Sequence, residues 1–571
     1  MLMLSVMIGI YFGCFGKKQS SANEYLFGGR TMNIFPIATS LVASHVSGIT
    51  ILAIPADIYK FGSNYVFQFL SVIINCVLVA YVFMPVFYNL KLTSAYQYLL
   101  MRFDGKIRLM ASLLYAISVL LYLPIVIYAP SLALAQGKKI IQRFHFRVLI
   151  CFDFLATPVN LHYVNPIICS ICIFYTTIGG IKAVVWTDTL QFSAMIGAML
   201  AVFYIGIKSV GGIGSVWDIS AKGGRLDIDF DIDPTKRDTF WAVTIGWTVN
   251  WISHISVNQG TVQKFLSLPS MGDIRKATLT FCIGIVLCKF VSVCTGLVIY
   301  SKYYNCDPFL TKKITQNDQL LPFYVIDVAS SIPGLSGLFI AGVFCAALST
   351  LSAVMNSLSG VIYQDFISRF TPKDIKDKTV SNILKLLVVI IGVIGTLMVF
   401  VVEKLGGLLP LSISFSSITS GSLVGLFILG LFFPSANAKG ALAGSITSLI
   451  FVSWIVIGSY YYKSIGLIKY IPKPTSADGC IITNSTILSN TKTEFVQNDV
   501  FFLFKITYYY YSLIGVLTVI IVGMIVSWIT KNEKEEVDEN LITPWMRWAI
   551  VKKEKYKSID VALRDVCDNT Q

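Results

Sequence analysis

Stretches of about twenty apolar residues, the length an α-helix needs to cross a bilayer core, recur along this chain almost from end to end. That recurrence leaves no run long enough for a sizeable water-soluble domain. It also dictates the backbone, because in hydrocarbon each N–H and C=O must be satisfied within its own segment, which segments of this length achieve as helices. Composition points the same way: of 571 residues, 55% are hydrophobic and only 13% charged, outside the range of soluble globular chains. The expected fold class is therefore an all-α membrane protein. An active site would have to sit at membrane depth or in short loops, where the few acids are isolated, so an enzyme is not expected.

Hydropathy marks about thirteen candidate spans, at 1–16, 34–59, 65–88, 109–135, 164–181, 190–207, 240–257, 277–300, 334–362, 384–402, 408–433, 441–461 and 501–528. The formal charge of +14 is explained by cytoplasmic loops that hold orientation, and no nucleic-acid partner is read from it. With the amino terminus outside, the inside loops carry Lys17, Lys18 and Arg30, then Lys91, Arg102, Lys106 and Arg108, then Lys264, Arg275 and Lys276, then Arg369, Lys373, Lys376 and Lys378, with a cytoplasmic tail from Lys531. The loops at 218–238, 301–320 and 462–500 fall outside. The last of them holds Asn484-Ser485-Thr486, a glycosylation acceptor usable only on the lumenal or extracellular side. Cys306 and Cys480 are the only cysteines in two of these loops and either pair or stay free thiols. A multi-pass protein of the plasma membrane is expected.

One segment, 137–155, puts Lys138, Lys139, Arg143 and Arg147 on an outside loop against the orientation rule. It reads as a retained intron or gene-model artefact, or else as a tolerated loop insertion.

Two spans are too polar for ordinary helices. The second packs Ser44, His45, Ser47, Gly48 and Thr50 into eight residues, and the seventh holds Thr248, Asn250, Ser253, His254, Ser256, Asn258 and Gln259. Small and polar residues at bilayer depth suggest broken helices facing a cavity. Two such spans at corresponding positions of five-helix halves point to an inverted-repeat transporter with a midplane site; the competing reading is hydroxyls that bond back to their own helix. In the ninth span Ser349, Ser352, Asn356 and Ser359 share one face with Thr350 beside them. Their oxygens suit Na⁺, a hard cation. His45 and His254 are carboxylate-binding candidates or packing residues. Lys289 lies mid-span without an acidic neighbour in helical reach and is a functional candidate unless it snorkels, and Asp57 reads as an interfacial residue.

From about Tyr25 to about Ser527 the chain resembles the sodium/solute symporters. FYTTIGGIKAVVWTDTLQ (174–191) and GLFILGLFFPSANAKGALAG (425–444) resemble the two family signatures, and VNQGTVQKFLS (257–267) and FCAALSTLSAVMNS (344–357) add two more motifs. EYLFGGRTM, IPADIYKFG and YNCDP are most similar to the branch holding the sodium-coupled multivitamin, monocarboxylate and iodide transporters. The resemblance implies thirteen transmembrane helices, an outside amino terminus and a core of two inverted five-helix repeats. It implies a sodium site of the carbonyls of Ala43, Val46 and Ala346 with the hydroxyls of Ser349 and Thr350, and a cation-coupling aspartate at Asp188. The substrate would lie among His45, Ser47, Trp251, His254, Gln263, Asn356 and Phe415. The chain departs from the pattern at Val46, where vitamin and iodide members carry Gln nearby, at Ser435, where a basic residue is usual, and at 137–155.

The expected organisation is a first span and inside loop at 1–33, the ten-helix core at 34–433, two further spans with a glycosylatable loop at 434–528, and a tail at 529–571. The expected function is sodium-coupled import of a small organic anion, a monocarboxylate or a vitamin such as biotin or pantothenate, by alternating access. The alternatives are an inorganic anion such as iodide, or a transport-dead sensor or channel-like member of the same fold. Na⁺ is the coupling ion, no other cofactor or metal is expected, the partners are the anionic solute and the lipid bilayer, and oligomeric state is not readable.

Overall fold

The computed structural model describes residues 2–15, 22–92, 94–141, 161–329, 332, 334–372, 376–402, 408–480, 500–530 and 537–547. Among them there is no β-strand. The main helices are α1 (Leu2–Ile10), α2 (Ile34–His45), α3 (Gly48–Phe61), α4 (Gln68–Leu78), α5 (Gly105–Ile141), α6 (Leu161–Val210), α7 (Trp247–Trp251), α8 (Gln259–Leu266), α9 (Met271–Tyr303), α10 (Leu335–Ile362), α11 (Asp377–Val402), α12 (Leu408–Phe432), α13 (Ala438–Ser464) and α14 (Tyr511–Ile529). The core sits where α10 packs on α5 and α6, with α2, α3 and α9 packed together alongside, while α12, α13 and α14 form a second group.

The thirteen candidate spans are not all found as separate long helices among the described residues. Nine helices among the described residues are long and apolar enough to cross a membrane, ten if the bent pair α2 and α3 counts as one. The difference has local causes. The stretches 164–181 and 190–207 are two helices that run on into one another as α6, 50 residues long, at 1.5 Å per residue enough for two crossings of a bilayer core. It is kinked at Gly180, whose φ of 55° and ψ of −157° suit a residue without a Cβ. The first and seventh candidates are helical but short, the seventh being cut into α7 and flanking π-helical turns at Ala242–Gly246 and Ile252–Ser256.

Both polar spans are broken. α2 and α3 meet at 53°, with Val46 (φ −92°, ψ 85°) and Ser47 (φ −85°, ψ 174°) outside helical geometry. Val46 N–H still donates to the Val42 carbonyl at 2.9 Å, which closes the first half-helix. The other break falls between Ser256 and α8, where the Asn258 side chain caps the new helix by accepting from the N–H groups of Gly260 and Thr261.

The loops gather into two groups. On one face Ser63 N–H donates to Arg225 O, Lys473 N–H to Lys60 O, Asp307 N–H to Ser476 O and Thr507 N–H to Pro234 O, and a disulfide joins Cys306 to Cys480. There Asp57 pairs with Arg237, which also donates to the Tyr508 hydroxyl. On the other face Arg30 donates to Leu92 O, Met32 N–H to Ser267 O, Arg102 to the carbonyls of Gly430, Phe433 and Ala436, and Thr543 N–H to Leu431 O. Asn484, residues 142–155 of the basic insertion and most of the tail lie outside the described residues; 137–141 continue α5.

Candidate functional site

The last carbonyls of a helix have no partner within it and carry partial negative charge. At the end of α2 those of Ala43 and Ser44 are met by the middle of α10: Ser349 donates to Ala43 O at 2.8 Å and Thr350 to Ser44 O at 3.2 Å. The same hydroxyls reach Ala346 O at 3.2 and 3.0 Å. Ala43, Ala346, Ser349 and Thr350 are thus brought together, all buried. Val46 occupies the break itself, and Ser44 O stands in the cluster. Among the described residues no group of three His, Cys, Asp or Glu side chains could hold a metal ion; what the geometry offers a cation is neutral carbonyl and hydroxyl oxygen.

Asp188 lies eight residues past the Gly180 kink and is fully buried. Its carboxylate accepts from Ser40 Oγ at 2.6 Å and Ser44 Oγ at 3.3 Å, with Ser352 Oγ at 3.5 Å. It also forms an ion pair with Lys264, Nζ to Oδ2 3.0 Å. This corrects the placement of Lys264 in a solvated cytoplasmic loop. The residue is 3% exposed on α8, and its ammonium also donates to Ser44 Oγ at 2.6 Å and Ser40 O at 3.2 Å. The available signal was the amphipathic pattern of the eight-residue α8, which makes Lys264 part of a helix rather than of a loop.

A cavity of about 160 Å³ opens beside this pair, between the two breaks and α9, α10 and α12. His45, Ser47, Trp251 and His254 line it, as expected, together with Ser44, Thr261, Lys264, Thr350 and Ser416. Among the described residues no Asp or Glu lines it. The His45 ring ties the breaks together: Nδ1 faces Leu41 O at 2.8 Å, Nε2 faces the His254 carbonyl at 3.2 Å, and the ring stacks on Trp251 with centroids 6.1 Å apart. Lys289 projects into the cavity from α9, against Gln68 of α4, which residue-type reasoning had not singled out.

Three expected substrate contacts are not on the cavity wall. Gln263 points away and donates its amide N–H to Leu26 O. Asn356 is buried on α10 with its Oδ1 unpartnered, and Phe415 packs against the core, while Ser412, Ile413 and Ser416 provide the α12 wall. Each of these helices lines the cavity through other residues, since neighbouring residues point about 100° apart.

Two broken helices side by side, an oxygen cluster at one of the breaks and a cavity between them define an ion-coupled membrane transporter of the inverted-repeat kind. Residues 25–448 match the Sodium:solute symporter family, and the chain belongs to that family. It is 35% identical over 558 residues to the human sodium-coupled monocarboxylate transporter 2, covering 97% of this chain and 87% of the relative. It is 34% identical over 544 residues to a putative sodium-dependent multivitamin transporter of Drosophila melanogaster, covering 92% and 85%. The structure superposes on that of a Na⁺-coupled sialic acid symporter, captured substrate-bound and outward-open, with a TM-score of 0.71 at 24% identity, covering 92% of this chain and 96% of that one. The fold is therefore the symporter fold, and this chain is a sodium-coupled solute symporter.

Proposed function

We propose that the protein imports a small organic monocarboxylate together with Na⁺ across the plasma membrane. The observation that carries the reading is Lys289: it lines the cavity with no carboxylate of the described residues within ion-pair distance, whereas the charge of Lys264 is met by Asp188. Such a wall attracts an anion and repels a cation. The named substrates of the similar transporters, monocarboxylates and vitamins, support the same class.

Na⁺ would be held by the carbonyls of Ala43, Ser44 and Ala346 with the hydroxyls of Ser349 and Thr350, at the seam between α2 and α10. Binding there stabilises the arrangement in which the first broken span and α10 are locked together, the substrate then occupies the adjoining cavity, and rocking of one helix group against the other releases both inside. The face bearing the Cys306–Cys480 disulfide is the external one, because structural disulfides persist in oxidising compartments. On this reading the amino terminus lies outside, the basic loops in the cytoplasm and the glycosylation acceptor Asn484 on the external side.

The test is uptake of labelled lactate, nicotinate, biotin, pantothenate and iodide by cells expressing the full chain, in Na⁺ and in choline medium. Saturable, Na⁺-dependent uptake of at least one carboxylate is expected. Iodide uptake alone, or current without saturable flux, would overturn the reading.

A further inference from the structure

We propose that Lys289, Gln68 and Trp251 form the subsite that receives the substrate's carboxylate, and that this subsite makes the transporter select monoanions. The proposal rests on the monocarboxylate reading above and deepens it.

The cavity contains two buried lysines that the fold treats differently. Lys264 is matched by a fixed counter-charge, Asp188. Lys289 is just as buried, at 3% exposure, yet no carboxylate of the described residues lies within ion-pair distance of it. Its surroundings are partial charges only: Gln68 Oε1 at 3.0 Å, the Trp251 ring with its centroid 4.8 Å away and that of Tyr65 at 5.8 Å. A buried ammonium without a counter-charge is costly, and π faces and an amide oxygen offset that cost only in part.

Two more donors beside it also lack a well-formed hydrogen bond. Gln68 is fully buried, and because an ammonium has only hydrogens to offer, its amide oxygen is the atom turned toward Lys289. Its Nε2 makes no hydrogen bond of good geometry, although the amide also interacts with the Tyr65 hydroxyl. The indole Nε1 of Trp251, 5% exposed, has none either. Buried polar groups are rarely left unpaired. Here an ammonium, an amide NH₂ and an indole N–H, all donors, belong to three residues that line one cavity and pack on each other. An ionised carboxylate, with about four acceptor positions and no donor, is the complementary group. A neutral amide offers fewer acceptors and adds donors of its own.

The charge count limits the ligand further. Lys264 is committed to Asp188, and both nitrogens of His45 face carbonyls. One uncommitted lysine cation therefore serves one carboxylate, and the second carboxylate of a dianion such as succinate would be desolvated with only the His254 ring of the wall left to meet it.

Uptake of labelled lactate and nicotinate, with lactamide, nicotinamide and succinate as competitors, tests this in wild type, Lys289→Met, Lys289→Arg and Gln68→Leu. Each variant's surface amount is quantified, and thermal stabilisation by the same compounds is measured on the purified full-length chains. Lys289→Met should raise the half-saturating lactate concentration about 10- to 100-fold, the worth of a charge-assisted hydrogen bond, and abolish the preference for carboxylate over amide. Lys289→Arg should keep most of the preference, and Gln68→Leu should weaken lactate about 5- to 20-fold. If a variant does not reach the surface, stabilisation of the purified wild type by lactate but not lactamide still supports the subsite, and equal stabilisation by both overturns it. Wild-type carboxylate uptake with unchanged affinity and preference in Lys289→Met and Gln68→Leu overturns the subsite alone. A wild type that neither takes up nor is stabilised by any carboxylate overturns the function reading and the subsite together.

Discussion

Lys264 and Asp188, 76 residues apart in sequence, meet as a buried ion pair with Nζ and Oδ2 3.0 Å apart. The pair is joined to the cluster of oxygens on α10 through Ser44 and, at 3.5 Å, through Ser352. The Ser44 hydroxyl donates to Asp188 and accepts from Lys264, while its carbonyl accepts from Thr350. Any change that unbalances the pair is therefore felt at the break of the first polar span.

Removing one partner of such a pair strands a buried charge, at about 3–5 kcal/mol. Lys264→Ala and Asp188→Ala should each markedly lower the melting temperature of the purified transporter, and the double variant should lose less than the sum. Thermal unfolding in detergent gives the coupling. Additive losses would mean that the pair contributes nothing as a pair.

Ser349→Ala and Thr350→Ala each delete an oxygen from the proposed Na⁺ site. The Na⁺ concentration for half-maximal uptake should rise about 5- to 30-fold in each, the equivalent of about 1–2 kcal/mol, while Thr350→Ser retains the wild-type value. Unchanged Na⁺ dependence in both alanine variants would remove these hydroxyls from the site, leaving them as staples of α10 to α2.

Asp238, in the loop before the seventh span, is held by burial well above the usual carboxylate range, at about 6, although Arg237 beside it pulls the other way. In the folded chain it keeps a proton that the unfolded chain loses near pH 4. Between those values the native state binds more protons, so stability falls as pH rises through the window, by at most about 3 kcal/mol. Asp238→Asn should flatten that part of the stability profile relative to wild type, as followed by melting temperature from pH 4 to 7. Parallel profiles would show that the carboxyl titrates alike in both states.

The disulfide between Cys306 and Cys480 spans 174 residues and ties two loops of one face. Cys306→Ser should cost about 2–5 kcal/mol, and reductant should lower the melting temperature of wild type but not of the variant. On the same face, Asn484→Gln should abolish a glycosidase-sensitive gel shift. A shift that persists in the variant would assign the glycan elsewhere, and no shift in wild type would count against the proposed orientation.

The sequence by itself determined the helical membrane architecture, because bilayer-length apolar runs leave the backbone no alternative. It also determined the two breaks, which small and polar side chains at Ser44 to Thr50 and Ser253 to Gln259 announce locally, and the serine and threonine face of α10, which follows from helical period. Family likeness carried Asp188 and the oxygen cluster. What it could not decide was how far each helix is rotated and which helix lies opposite. A single residue of rotation turns Gln263 and Phe415 away from the cavity, and the span count depended on whether Gly180 ends a helix or only bends it. Lys264 counted as a loop charge until α8 tucked it against Asp188. Lys289 acquired a role only when α4 set Gln68 against it, 221 residues away in sequence. Such pairings are settled by packing between distant segments, on which local periodicity has no hold.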